Sequence, residues 1–148
     1  MSLDFYEDSF VLIALHTSLE DFKLVYTINH HLKCNFKRRK QNLIYTERIS
    51  LPVFEWKDTV NDRYWTIIQN SIQSEENNVN VGLFKDTTSF TKKHLIPEYK
   101  NVDYFLKLEQ EDFDSETTIL KSILAIPKII TAYTIKTNTL KSKNNLIF

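Results

Sequence analysis

Six consecutive apolar residues, Phe10, Val11, Leu12, Ile13, Ala14 and Leu15, form the longest hydrophobic run of the chain. A run so short and so rich in branched side chains predicts a strand over 10–15, buried on both faces in the interior of a sheet. Ser18 follows, with Asp21 three residues on, which is close to a capping box. Beyond it Phe22, Val25, Tyr26, Asn29 and Leu32 recur at helical spacing, so a helix is expected over 19–31. A second strand is expected over 32–37.

The middle of the chain carries short β-branched and aromatic stretches at 42–47, 49–56 and 63–69, which read as antiparallel strands. The polar residues 57–62 make the hairpin loop between the last two. Pro52 cannot donate to a ladder and argues for an edge or a bulge. Residues 74–78 are polar and lack anchors, so they read as a mobile loop, with a short strand after them at 81–85. From Val102 to Glu109 strict alternation returns. Val102, Tyr104, Leu106 and Leu108 are expected to face one way, and Asp103, Phe105, Lys107 and Glu109 the other. Ser115 is placed to cap a second helix whose face is Ile119, Leu120, Ile123 and Leu124. Pro127 stops it, and a last strand runs over 129–137.

Strand–helix–strand therefore occurs early and late, with strands between. This is an α+β class: two βαβ-like halves around one mixed or antiparallel sheet with two helices, ferredoxin-like with a β-hairpin insertion. In that topology the first strand of each half lies in the middle of the sheet, and the two most apolar strands are the ones that would lie there. The 148 residues, 42% hydrophobic, suit a single domain over 1–148.

Composition removes several chemistries. Gly82 is the only glycine, so a P-loop, a dinucleotide fingerprint and a glycine-rich nucleophile elbow are all excluded. Lys+Arg and Asp+Glu are 19 each, and a net charge of zero disfavours nucleic acid and anionic membranes as partners. The single Cys34 has no internal disulfide partner, which agrees with a reducing compartment. The acidic start lacks the basic region of a secretory signal, and no apolar run could span a bilayer. A cytoplasmic location is the expectation.

Residues 96–104 read Ile-Pro-Glu-Tyr-Lys-Asn-Val-Asp-Tyr. With Ile96, Pro97, Glu98, Val102, Asp103 and Tyr104 in place, the stretch resembles the signature of the IPExxxVDY family, a set of small uncharacterised Bacteroidetes proteins. The resemblance implies membership of that set and no activity.

Other candidate chemistry is sparse. His30, His31 and Cys34 have spacing that could hold a soft metal, but no further ligand pair accompanies them. The histidines also suit the negative end of a helix, and Cys34 fits an apolar strand face better than a nucleophile. No metal and no cofactor is expected. The acidic residues 109–116 lack the pattern of a calcium loop. Glu98 and Asp103 could divide acid and base roles if their environments separated their pKa values. They read better as acceptors of backbone N–H bonds around a strand start, with Pro97 setting the approach and Tyr104 packing inward.

The residues thus point to a small binding or protein-interaction module, with Glu98, Asp103 and an outward Phe105 as its binding residues and no catalytic residue. Its partner would be a protein or a small ligand, and a homodimer through sheet edges or helices fits the same fold. Two other classes stand beside it: an enzyme using Glu98 and Asp103, and an RNA-binding accessory protein using Lys37, Arg38, Arg39 and Lys40, the one basic run.

Overall fold

The computed structural model describes residues 10–46, 49–77, 88–110 and 116–148. It is an α+β protein with one large antiparallel sheet, two small hairpins and two helices. Among the described residues the ten strands are β1 (Val11–Thr17), β2 (Lys37–Arg38), β3 (Leu43–Thr46), β4 (Ile49–Leu51), β5 (Val53–Asp58), β6 (Arg63–Gln69), β7 (Ser71–Asn77), β8 (Thr88–His94), β9 (Tyr104–Gln110) and β10 (Ile129–Ile135). Helix α1 spans Asp21–Leu32 and α2 spans Glu116–Leu124. The six-stranded sheet runs β10-β1-β9-β6-β5-β2, and each neighbouring pair is antiparallel. The pairs β3–β4 and β7–β8 are separate hairpins.

The two most apolar strands, β1 and β9, lie side by side inside the sheet, as their composition demands. Alternation then sends their side chains into two cores. On one face Ile13, Leu15, Trp65, Ile67, Leu106 and Leu108 pack against Leu24, Val25 and Ile28 of α1 and Ile119 and Ile123 of α2. On the other, Leu12, Ala14, Val53, Ile68 and Phe105 pack under Leu95, Ile96, Leu140 and Leu146. Among the described residues no α-helix covers this second face; connecting segments with short 3-10 turns do. Leu146 is fully buried there, and Phe148 packs against the same cluster.

Several expectations change. The strand expected at 32–37 is the end of α1, a turn at Lys33 with φ 55°, and only two residues of strand. Asn29 is the reason. Its side chain accepts the Phe36 N–H at 2.8 Å and donates to the Phe36 carbonyl at 3.1 Å, so a helical residue occupies the place of a strand partner. Helix α1 begins after Glu20, which makes no side-chain cap, and the capping box at Ser18 is not formed. Pro52 does more than bulge a strand: it separates β4 from β5, which belong to different sheets. Residues 74–77, read as a loop, belong to β7 and pair with β8. The short strand expected at 81–85 and the cap at Ser115 lie outside the described residues. Among the described residues no helix is long and apolar enough to cross a membrane.

Candidate functional site

Residues 96–104 are tied to the rest of the fold by a dense set of bonds. Ile96 and Val102 are buried. Pro97 starts a single 3-10 turn, Pro97–Tyr99, where its fixed φ is useful and its missing N–H costs nothing. Asp103 lies where β9 begins. Its N–H donates to the Leu15 carbonyl at 3.0 Å, and its carboxylate accepts the Thr17 N–H at 3.0 Å. The side chain thus continues the β1–β9 ladder for one more bond. Tyr104 is buried, and its hydroxyl donates to the Leu19 carbonyl at 2.8 Å. Burial, with Asp21, Asp103 and Glu20 nearby, pushes that phenol up to about 12, so it remains a donor. Glu98 is exposed and turned to the other side, accepting the Ser142 hydroxyl at 2.6 Å and the Ser142 N–H at 3.1 Å. These bonds, the hydroxyl first, hold its carboxyl below the usual carboxylate value.

Asn70 organises the whole stretch, and sequence reading missed it. It is fully buried at the end of β6. Its side-chain oxygen accepts the Ile96 N–H at 2.8 Å, and its amide donates to the Tyr99 and Val102 carbonyls at 2.9 and 3.0 Å. Its own N–H and carbonyl bond Asp103 and Leu95. A lone Asn between a strand and a polar stretch carries no local signal; only its five partners, 25 to 33 positions away in sequence, reveal it.

Phe105 corrects the expected orientation. It does not face outward but is fully buried in the second core. Lys107, two residues on, is also buried. Its ammonium donates to the Leu146 carbonyl at 2.6 Å and lies 4.8 and 4.9 Å from the ring centres of Phe10 and Phe148. Opposite it in the ladder, Thr66 is buried with its hydroxyl unpartnered among the described residues.

The histidine–cysteine cluster does not converge. The His30 ring stacks on Tyr26, and the Cys34 thiol points to the Leu32 carbonyl at 3.8 Å. Burial pushes that thiol up to about 12, against a smaller opposing pull from Arg63, which leaves it protonated at neutral pH. No three His, Cys, Asp or Glu side chains gather into a metal-binding group among the described residues.

The basic run takes a definite form. Lys37 and Arg38 are β2, the outermost strand, with Lys37 opposite Glu55 and Arg38 opposite Phe54. The Arg39 N–H extends this pairing to the Val53 carbonyl at 2.7 Å. A groove of 580 Å³ lies along the edge, lined by Lys37, Arg38, Arg39, Lys40 and Lys57 with Glu55 and Trp56. A second concavity of 870 Å³ shares Arg38, Arg39 and Lys40 and extends to Asn42 and Ile44. Glu55 is the one carboxylate of the groove, and it is already engaged by Arg39 at 3.4 Å and Lys57 at 3.7 Å. No acidic side chain pairs with Lys37, Arg38 or Lys40 among the described residues. A chain of zero net charge has therefore gathered five cations around one concave strand edge.

Comparison with protein-family models, with curated proteins and with solved structures gives no match.

Proposed function

We propose that this protein is a non-catalytic binding module whose ligand is a phosphate-bearing polyanion, held along the basic edge at β2. The observation that carries the reading is the shared groove of Lys37, Arg38, Arg39, Lys40 and Lys57, where one carboxylate faces five cations. Closely spaced cations on a concave surface suit a ligand with closely spaced anionic charge, and such binding weakens steeply with salt. The groove volume lies within the usual range for ligand sites, roughly 300–1,000 Å³.

The enzyme reading finds less support. Acid–base work by two carboxylates needs them to share a site with their pKa values driven apart. Here Asp103 is engaged by β1 and Glu98 by Ser142, on different segments. With Phe105 inside the core, the three residues expected to bind a partner offer Glu98 alone as an exposed group. The signature then serves as a clamp joining β1, β6, β9 and the C-terminal segment, and its likeness to the IPExxxVDY family is read as a likeness of architecture. The strand order β10-β1-β9-β6, with both helices on one face, supports a ferredoxin-like core with β5 and β2 as an extension. An unpaired Cys34 accords with a cytoplasmic setting.

Titration with inorganic polyphosphate at low and moderate salt tests the reading. Binding is expected at low salt, weakened by added salt, lost in a variant with Lys37, Arg38, Arg39 and Lys40 changed to Ala, and retained in Glu98→Gln. No binding by the natural chain, or equal binding by the fourfold variant, would sink it.

A further inference from the structure

The apolar stripe that helical spacing marks on α1 is only in part the face that α1 buries. Leu24, Val25 and Ile28 enter the core, whereas Phe22 is 60% exposed and Tyr26 73%. His30 is exposed beyond them and stacks on Tyr26, with rings 6° from parallel and centroids 6.4 Å apart. Three planar side chains therefore stand four residues apart on the outside of the helix. At about 1.5 Å of rise per residue, neighbours are separated by roughly 6 Å.

This stripe is joined to the basic edge by a short path. The Phe22 ring makes an edge contact with Phe54, with centroids 5.5 Å apart. Phe54 lies directly opposite Arg38 in the β2–β5 ladder. Residues opposite in an antiparallel pair project to the same side, so Arg38 lies on the face that α1 covers, next to the residue Phe22 touches. At the other end of the helix Asn29 ties α1 to Phe36, immediately before β2. Helix and basic strand are thus neighbours from Phe22 to Asn29. The acids of this region, Glu20 and Asp21, lie at the start of α1, where they complement its positive end; past Asp21 the helix carries no carboxylate.

We propose that the exposed stripe Phe22–Tyr26–His30 and the cations of β2 form one surface for single-stranded nucleic acid, with bases stacked on Phe22 and Tyr26 and phosphates on Arg38, Arg39 and Lys40. The inference rests on the polyanion reading above and names the ligand. Aromatic faces beside a phosphate-binding groove are the shared physics of single-strand binders. Every base has a stackable face, but in a duplex those faces are hidden. A polyanion without bases would use the groove and leave the stripe bare. An apolar protein partner would cover the stripe but leave the cations without counter-charges. The charge complementarity of the adjoining groove therefore selects the nucleic acid.

The test uses fluorescence anisotropy of the full chain with labelled twelve-nucleotide oligouridine, the matching oligothymidine and a duplex of the same length, beside the polyphosphate titration. Phe22→Ala/Tyr26→Ala is expected to weaken single-strand binding about tenfold or more and to leave duplex and polyphosphate binding unchanged. Tyr26→Ala alone, at the more exposed position, guards against a folding defect at the Phe22–Phe54 contact and should show part of the loss. A loss on either single strand carries the inference, and the tighter of the two identifies RNA or DNA as the source. Unchanged single-strand affinity in both variants, with polyphosphate still bound, overturns the inference and leaves the polyanion reading intact. Failure of the natural chain to bind polyphosphate or any oligonucleotide overturns both. A natural chain that is dimeric by sedimentation, with a monomeric double variant, would assign the stripe to a second copy and also overturn it.

Discussion

The Asp103 carboxylate accepts the Thr17 backbone N–H at 3.0 Å, joining the first residue before β9 to the last residue of β1 across 86 positions of sequence. The bond lies where the β1–β10 pairing shifts register, between His16 and Thr17. Thr17 in turn donates its hydroxyl to the Lys128 carbonyl at 2.8 Å, so one carboxylate stabilises the junction of three strands.

Asp103→Ala should therefore cost stability by about 1–3 kcal/mol, the usual penalty for stranding a partly buried donor. Asp103→Asn, which keeps an acceptor oxygen, should cost less. Urea denaturation midpoints for the two variants check this, and equal midpoints for Ala and the natural chain would count against the bond.

Asn70→Ala should be more damaging than Asp103→Ala. It strands the buried Ile96 N–H and Val102 carbonyl, and leaves the Tyr99 carbonyl with the Val102 N–H alone. At about 1–3 kcal/mol for each of the two stranded groups, the loss should be about 2–6 kcal/mol. Asn70→Asp should fail similarly, because a carboxylate cannot donate to two carbonyls. Chemical denaturation, or simple recovery of folded protein, reads the outcome.

Thr66→Val is expected to raise stability, by about 1 kcal/mol. The Thr66 hydroxyl is buried without a partner among the described residues, and an isosteric methyl removes its desolvation penalty while keeping the shape. A higher melting temperature confirms the expectation. A lower one would reveal a bond made by that hydroxyl.

The bonds from Ser142 to Glu98 should make the docking of the C-terminal segment sensitive to acid. Glu98 has its folded value below the ordinary 4.5, because the charged form accepts the Ser142 hydroxyl and N–H. A lowered folded value means that the contribution is fully present above the unfolded value and is lost as pH falls through the folded one. Amide exchange of residues 142–148 should thus be constant from neutral pH to about 5, after correction for intrinsic rates, and lose protection below about 4.5. In Glu98→Gln the step should vanish. Since Glu98 is exposed, the effect on global stability is small.

Cys34 should be silent towards thiol reagents. With the thiol pushed up to about 12 by burial, the thiolate fraction at pH 8 is negligible. Iodoacetamide should label the denatured chain and spare the native one at that pH. Rapid native labelling would mean that the thiol is more open than its packing suggests.

The local pattern was a sufficient guide wherever one choice dominated. Six apolar residues in a row admit little but a strand buried on both faces, and alternation from Tyr104 onward sets β9, whereas Val102, expected on the face of Tyr104, lies before the strand in the other core. Pro97 and Pro127 mark boundaries through their own geometry. The turn between β5 and β6 was legible in its polar residues, with Asn61 bonding Asp58 through its N–H and its amide.

Sequence alone could not say which of two overlapping apolar stripes α1 buries, since Phe22, Val25, Tyr26 and Leu32 are as periodic as Leu24, Val25, Ile28 and Leu32. The sheet decided it, because Leu24, Val25 and Ile28 are the residues that pack on it, which leaves Phe22 and Tyr26 outside. Nor could it say that the polar-looking side of β9 is interior. Phe105 and Lys107 are buried because segments far along the chain, 95–102 and 140–148, fold over that face, and alternation within one strand carries no information about distant cover. What the chain order determined by itself was the class of fold, the two inner strands and the residues of the signature. What the tertiary structure decided was the use of those residues as a clamp rather than a pocket, and the meeting of a basic edge with an aromatic helix face. Both depend on contacts between residues remote in sequence, which exist only once the chain has closed upon itself.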